Sequence, residues 1–154
     1  MSEPTLSFTR DLPVRHDVDV FVAGGGPAGV AAALAAARQG RRVFLAEGQA
    51  CFGGMGTAGL VPAFMQFGDG INFLAGGIGR EIYDRLWQAG GAGPDDAYLC
   101  GACYLGIRAE VLKRVYDEMV AESGIDFTLL TQCIGIELAT PGRISHVICS
   151  GKSG

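Results

Sequence analysis

The sequence predicts an α/β domain built on a parallel sheet, and three observations predict it. Short apolar runs of strand length alternate with longer stretches of helical period. The first of these runs ends in three consecutive glycines, Gly24-Gly25-Gly26, followed at once by Pro27. A second apolar run comes directly after the intervening helical stretch, as a strand–helix–strand unit requires. Composition permits such a domain. The chain has 154 residues, 49% of them hydrophobic and 18% charged. That is enough to bury a core without disulfide staples, and it is unlike a disordered or fibrous chain.

Residues 1–16 are a polar lead-in carrying Glu3, Arg10, Asp11, Arg15 and His16, with no apolar stretch of the secretory kind. Residues 18–23 read as a buried strand ending in glycine. Pro27 suits the first turn of a helix, where its missing N–H would have no partner anyway. Residues 28–39 read as that helix, stopped by Gly40. Gly29, Ala33 and Ala37 recur every four residues, so one face of it is nearly flat and can lie close against a sheet. Residues 42–47 form a second strand, completing a right-handed βαβ unit of about 30 residues.

Residues 48–75 are glycine-rich and read as one long functional loop. A helix over 78–89 follows from Ile78, Ile82 and Leu86, with Glu81 and Arg85 a favourable i,i+4 pair. Residues 90–106 read as a loop. A helix over 109–122 follows from Leu112, Val115, Tyr116 and Met119, and a third strand over 125–130. Residues 134–138 and 144–149 flank Thr140-Pro141-Gly142-Arg143, where proline then glycine fit a type II turn of a hairpin.

The site reading centres on Gly24-Gly25-Gly26-Pro27-Ala28-Gly29, which satisfies G-x-G-x-x-G. The pattern alone is weak. Here it follows a strand, opens a helix, and lies 18 residues before Glu47 at the end of the next strand, the context a dinucleotide fingerprint needs. Gly24 permits a tight turn, Gly26 lets a pyrophosphate reach the backbone at the helix N-terminus, and Gly29 allows close helix–strand packing. The Glu47 carboxylate is placed to accept hydrogen bonds from ribose hydroxyls. Gly48 rather than arginine follows it, so a 2′-phosphate would go unpaired. The bland alternative is a structural glycine turn.

From Gly24 through the alanines, Gly40, Val43, Leu45 and Glu47 to Gly53-Gly54, the chain resembles the N-terminal FAD-binding domain of two-dinucleotide-domain flavoproteins. Among these it is most similar to the FAD-dependent oxidoreductase family. Ile107-Arg108-Ala109-Glu110-Val111-Leu112 and Glu122-Ser123-Gly124-Ile125 resemble that family's later helix and strand. The resemblance implies a Rossmann-like FAD/NAD(P)-binding domain over residues 17–154. Its parallel sheet would have helices on both faces and a β-hairpin or meander excursion, and the fold would be incomplete, with the substrate domain absent. It implies FAD as cofactor, with Gly24, Gly26, Pro27, Ala28 and Gly29 at the pyrophosphate and Glu47 at the adenosine ribose. Gly53, Gly54 and Met55 would lie near the pyrophosphate and ribityl chain, and the backbone at Cys133 would border the adenine. The implied reaction is hydride transfer from a small-molecule substrate to FAD. Two other readings stand beside it: a non-catalytic nucleotide-binding subunit completed by a partner chain, and an NAD-binding thiazole-synthase-like protein.

The remaining residues narrow the function by exclusion. Sixteen acids against 12 bases give a net charge of -4, so no nucleic-acid partner is expected. The apolar stretch 18–37 is broken by Asp19, three glycines and Pro27, which argues against a membrane span. Five cysteines without a secretory signal point to a reducing cytoplasm. Cys100-Gly101-Ala102-Cys103 has the spacing of a redox dithiol or half a metal site. The only histidines are His16 and His146, and the pair sits in a glycine-rich loop, so free thiols and no metal are expected. Cys51 precedes Gly53-Gly54, but no C-x4-C follows as in the disulfide reductases that share this FAD fold. His16 reads as a surface group and Asp95 and Asp96 as solvated loop carboxylates, while Arg80 and Arg108 fit either a reach to a substrate or flavin group or solvent-facing ion pairs equally well. No pair of residues forms an acid–base or nucleophile set, so the catalytic residues stay unassigned. In a family-like sheet, strand 18–23 would have a further neighbour from later sequence. Without it the strand is an open edge, which a second chain or a missing C-terminal region would complete.

Overall fold

A computed structural model describes residues 4–69, 71–92 and 104–152. The Cys100–Cys103 pair, Asp95 and Asp96 lie outside the described residues. β1 (Val20–Ala23) leads into α1 (Pro27–Arg38) and β2 (Val43–Ala46). β1 and β2 run parallel, with Val20 opposite Val43 and Ala23 opposite Ala46. Gly40 stops α1 at φ +75°, a left-handed value that glycine adopts without strain.

The segment expected as one loop, 48–75, holds more than that. It contains a 3-10 turn, Gly54–Gly56, and a short strand, β3 (Ala63–Met65). Beyond α2 (Gly77–Gln88), β4 (Tyr104–Gly106) pairs antiparallel with β3. Three-residue strands carry no readable period, and each is fixed by a partner distant in sequence. Asp69 shapes the intervening turn, accepting the N–H of Ile71 at 2.8 Å and of Asn72 at 2.6 Å.

α3 (Ala109–Glu122) precedes β5 (Asp126–Thr128), which is shorter than the expected 125–130 and pairs parallel with β2. The sheet order is β1-β2-β5. Helices on both faces are the expectation; the described helices gather on one. Val30 and Leu34 of α1, Leu86 of α2 and Leu112 of α3 share one core with Val43 and Leu45. The reason is topological. Both crossovers are parallel and step in the same direction across the sheet, so right-handed connections deliver their helices to the same side. On the other face Phe44 is covered by the rings of Phe21 and of His16, the latter 4.4 Å away, centroid to centroid. Ion pairs lace the three helices together: Glu81 meets Arg38 at 2.7 Å and Arg85 at 3.1 Å, and Arg85 meets Glu122 at 2.7 Å.

The hairpin is β6 (Thr131–Thr140) and β7 (Arg143–Gly151), closed by Pro141-Gly142 with Gly142 at φ +81°. Its strands outrun the expected 134–138 and 144–149 because backbone pairing continues through polar Gln132, Ser150 and their neighbours. Among the described residues no helix is long and apolar enough to cross a membrane.

Candidate dinucleotide site

The site lies at the C-terminal ends of β1 and β2, where open parallel sheets bind ligands. Gly24 leaves β1 at φ +101°, its N–H donating to Ala46 O at 2.7 Å. Gly26 caps α1 in extended backbone. No side chain caps the helix, Pro27 brings no N–H, and the first turn holds no acid. The positive end of the α1 dipole therefore has no anion supplied by its own first turn. A Cβ at Gly26 would meet nothing within 4 Å, whereas one at Gly29 would stand 1.8 Å from Gly24 O. The first position faces open space, and the second is closed by backbone.

Two features escape the sequence pattern. A Cβ at Gly25, a free choice in G-x-G-x-x-G, would stand 2.5 Å from Phe52 Cδ1. Glu47 is only 7% exposed, and its carboxylate clamps backbone. Oε2 accepts the Gly25 N–H, and Oε1 accepts the Gln49 N–H at 2.6 Å. Glu47 thus ties the glycine turn to the end of β2, and each oxygen keeps capacity for another donor.

Gly53 and Gly54 sit at φ +101° and +52°. The Gly53 N–H donates to Gly25 O at 2.8 Å, and a Cβ on Gly54 would lie 3.2 Å from Gly26 Cα. The glycine pair lets one backbone cross another. Thr57, fully buried and also absent from the sequence reading, locks this crossing by donating its hydroxyl to Phe52 O at 2.6 Å. Met55 is 65% exposed beside it.

Two cavities flank the turn. One, of about 300 Å³, is lined by Ala23, Gly24, Ala46, Gly48, Thr131, Gln132 and Cys133. The hairpin is held against it by the Thr131 N–H on Glu47 O at 2.9 Å. The other, of about 310 Å³, is lined by Pro27, Ala28, Ala31, Phe64, Phe67, Gly79, Ile82 and Tyr116. The fold thus brings Gly24 and Cys133 to one cavity and Pro27 and Ala28 to the other. Arg80 pairs with Asp84 at 2.8 Å, and exposed Arg108 precedes α3; neither lines either of these two cavities. Among the described residues no group of three metal-ligating side chains exists.

The Tyr116 side chain is fully buried, and its hydroxyl has no hydrogen-bond partner among the described residues. Burial pushes its pKa up to about 12, so it stays a neutral donor. Removing an unpaired buried hydroxyl relieves a desolvation cost. Tyr116→Phe should therefore leave the ligand-free protein as stable or stabilise it by about 1 kcal/mol. Urea unfolding followed by circular dichroism checks this; a loss of stability would reveal a partner.

Residues 19–154 match the profile of the family described as FAD dependent oxidoreductase. The chain belongs to that family. FAD is accordingly its cofactor, and the free end of α1, the open space at Gly26 and the cleft at Gly24 fit a pyrophosphate-linked dinucleotide. Among individual proteins, the chain is 30% identical over 122 residues to the thiamine thiazole synthase of Methanothermobacter thermautotrophicus, covering 77% of this chain and 47% of that protein. THI4 of Thermovibrio ammonificans superposes with a TM-score of 0.61 at 19% identity, covering 88% of this chain and 48% of that one. The myxobacterial halogenase CndH superposes with a TM-score of 0.61 at 22% identity, over 89% of this chain and 34% of that one. These two superpositions establish the Rossmann-like fold. The chain spans about half the length of the thiazole synthase it matches.

Proposed function

We propose that this chain holds the ADP portion of FAD for an oxidoreductase that removes hydride from a small molecule. The observation that carries the reading is the N-terminus of α1: no side-chain cap, no first-turn acid, and open space where a Gly26 side chain would stand. The first-turn N–H groups and the helix dipole would receive the pyrophosphate. Gly24, Pro27, Ala28 and Gly29 shape the turn around it, and Gly53, Gly54 and Met55 close it from the side. Glu47, already holding two backbone donors, would accept a ribose hydroxyl with its spare capacity, and the Cys133 backbone would border the adenine. When bound, FAD supplies a two-electron acceptor for hydride. A cytoplasmic setting suits free Cys51, Cys133 and Cys149.

Gly26→Val tests this directly. The position has φ -65° and ψ 179°, open to any residue, and its Cβ meets nothing. The fold should be unchanged while FAD affinity falls more than about tenfold, measured by titration followed in the visible flavin band. Undiminished affinity in a folded variant would overturn the reading. A thiazole-synthase-like protein using NAD is the second reading, favoured by the 30% identity; flavin-free protein that binds NAD would select it.

The free edge of β1 enters the same proposal. Among the described residues β1 pairs with β2 alone, while Ile134, Ile136, Leu138 and Ile144 stand at least half exposed on the hairpin. A further strand, from later sequence or from a second subunit, would cover such an edge. A non-catalytic subunit completed by its partner is the corresponding alternative, and activity that appears only on adding the partner would favour it.

A further inference from the structure

We propose that Cys133 and Cys149 form a cross-strand dithiol that a peroxide closes into a disulfide. The two stand directly opposite each other in the register of β6 and β7, and both are free thiols. Opposed residues of an antiparallel pair place their side chains on one face, with Cα atoms about 4.5–5.5 Å apart. That spacing falls inside the range of about 4.4–6.8 Å that disulfides span. The pairing also shifts register just after Cys133, at Gly135. Such an irregularity bends the strand and loosens its pairing locally.

The two thiols differ in a way that assigns their order. Cys133 is exposed, whereas Cys149 is half-buried. Burial first, and then the neighbouring Cys133, raise the pKa of Cys149. Cys133 is therefore the group a peroxide reaches first. Its thiolate attacks one peroxide oxygen, the O–O bond breaks, and hydroxide leaves and is protonated to water. The product is a sulfenic acid at Cys133. The Cys149 sulfur then attacks that sulfur; the S–S bond forms, the S–O bond breaks, and the oxygen leaves as a second water with the Cys149 proton. Two thiols lose two electrons and one hydrogen peroxide gains them. Cys133 also lines the cleft with Gly24 and Gly48, so the bond would fasten the hairpin wall of that cleft. Cys51 belongs to neither hairpin strand, and its Sγ lies 3.9 Å from Thr57 Oγ1, while the Cys133 Sγ lies 3.9 Å from Gly135 O within its own strand.

The test treats the whole unsubstituted chain with stoichiometric hydrogen peroxide, followed by intact mass measurement and non-reducing peptide mapping. The expected result is loss of two hydrogen atoms per chain, a cross-linked peptide joining Cys133 to Cys149, and recovery on adding dithiothreitol. Cys149→Ser should stop the reaction at a Cys133 sulfenic acid that dimedone captures. Cys133→Ser should abolish the cross-link. If the parent chain instead carries Cys133 forward to sulfinic acid, or bridges other cysteines while this pair stays reduced, the proposal fails. The readout here is covalent mass and peptide linkage on cofactor-free protein, whereas the cofactor reading is scored by FAD affinity, so failure of one is distinguishable from failure of the other.

Discussion

Gly29→Ala should destabilise this domain by about 3 kcal/mol or more, near or above the top of the usual range for overpacking. The added methyl would stand 1.8 Å from the Gly24 carbonyl oxygen and 2.9 Å from its carbon. Backbone cannot rotate aside as a flexible side chain can. The obstructing turn is also held from several directions: Gly24 by Ala46, Gly25 by Glu47, and Gly25 O by the Gly53 N–H. Moving it would stretch all of these bonds, and moving α1 instead would open the core at Val30 and Leu34. Gly79→Ala is the control. Gly79 lies within α2, where a Cβ meets nothing and φ is not positive. Alanine there should stabilise by about 0.5–1 kcal/mol through helix propensity alone. Urea midpoints for the two variants, with m unchanged, should move in opposite directions. Equal stability of Gly29→Ala and the parent would show that the strand–helix turn is looser than these contacts require.

The contrast between these two glycines marks what was legible in the sequence. Gly29 could be read because its neighbours are local: the strand before it, the helix after it and the acid at the next strand end all lie within one βαβ unit. The three helices were legible for the same reason, since their buried faces repeat within a few residues. Gly25 was not legible. Its need for glycine comes from Phe52 and Glu47, two side chains brought in by chain that only the tertiary fold places there. Thr57 is a like case, a polar residue in a glycine-rich stretch whose burial follows from Gly53 and Gly54 crossing the glycine turn. β3 and β4 escaped because each exists only through the other. In the sequence Tyr116 reads as one apolar position on a helix face, and its hydroxyl's lack of a partner among the described residues emerges only in the packed core.

The sidedness of the helices follows the same division. Local period predicts that a helix exists and which of its faces is apolar. It does not fix the side of the sheet, which depends on the direction the chain steps between strands. Both observed steps, β1 to β2 and β2 to β5, run the same way. A strand added beyond β1 would reverse that direction, and a right-handed crossover reaching it would arrive on the face now holding Phe21, Phe44 and His16.

Glu47→Ala should cost about 2–4 kcal/mol, because it leaves the Gly25 and Gln49 N–H groups without their acceptor in a site that excludes most water. Glu47→Gln should cost less. One oxygen remains to accept one of the two donors, while the amide NH2 is turned toward the other. Stability alone speaks only to the clamp that holds the glycine turn. The proposed ribose contact adds a second demand on the same oxygens, and it acts only when nucleotide is present. In Glu47→Gln, FAD affinity measured on folded protein should therefore fall further than the loss of stability accounts for. An affinity that merely tracks the folded fraction would leave Glu47 as the anchor of the turn and assign the ribose to another group in the cleft. Thermal unfolding with and without saturating FAD separates the two, because ligand stabilisation scales with affinity once the apo midpoint is known.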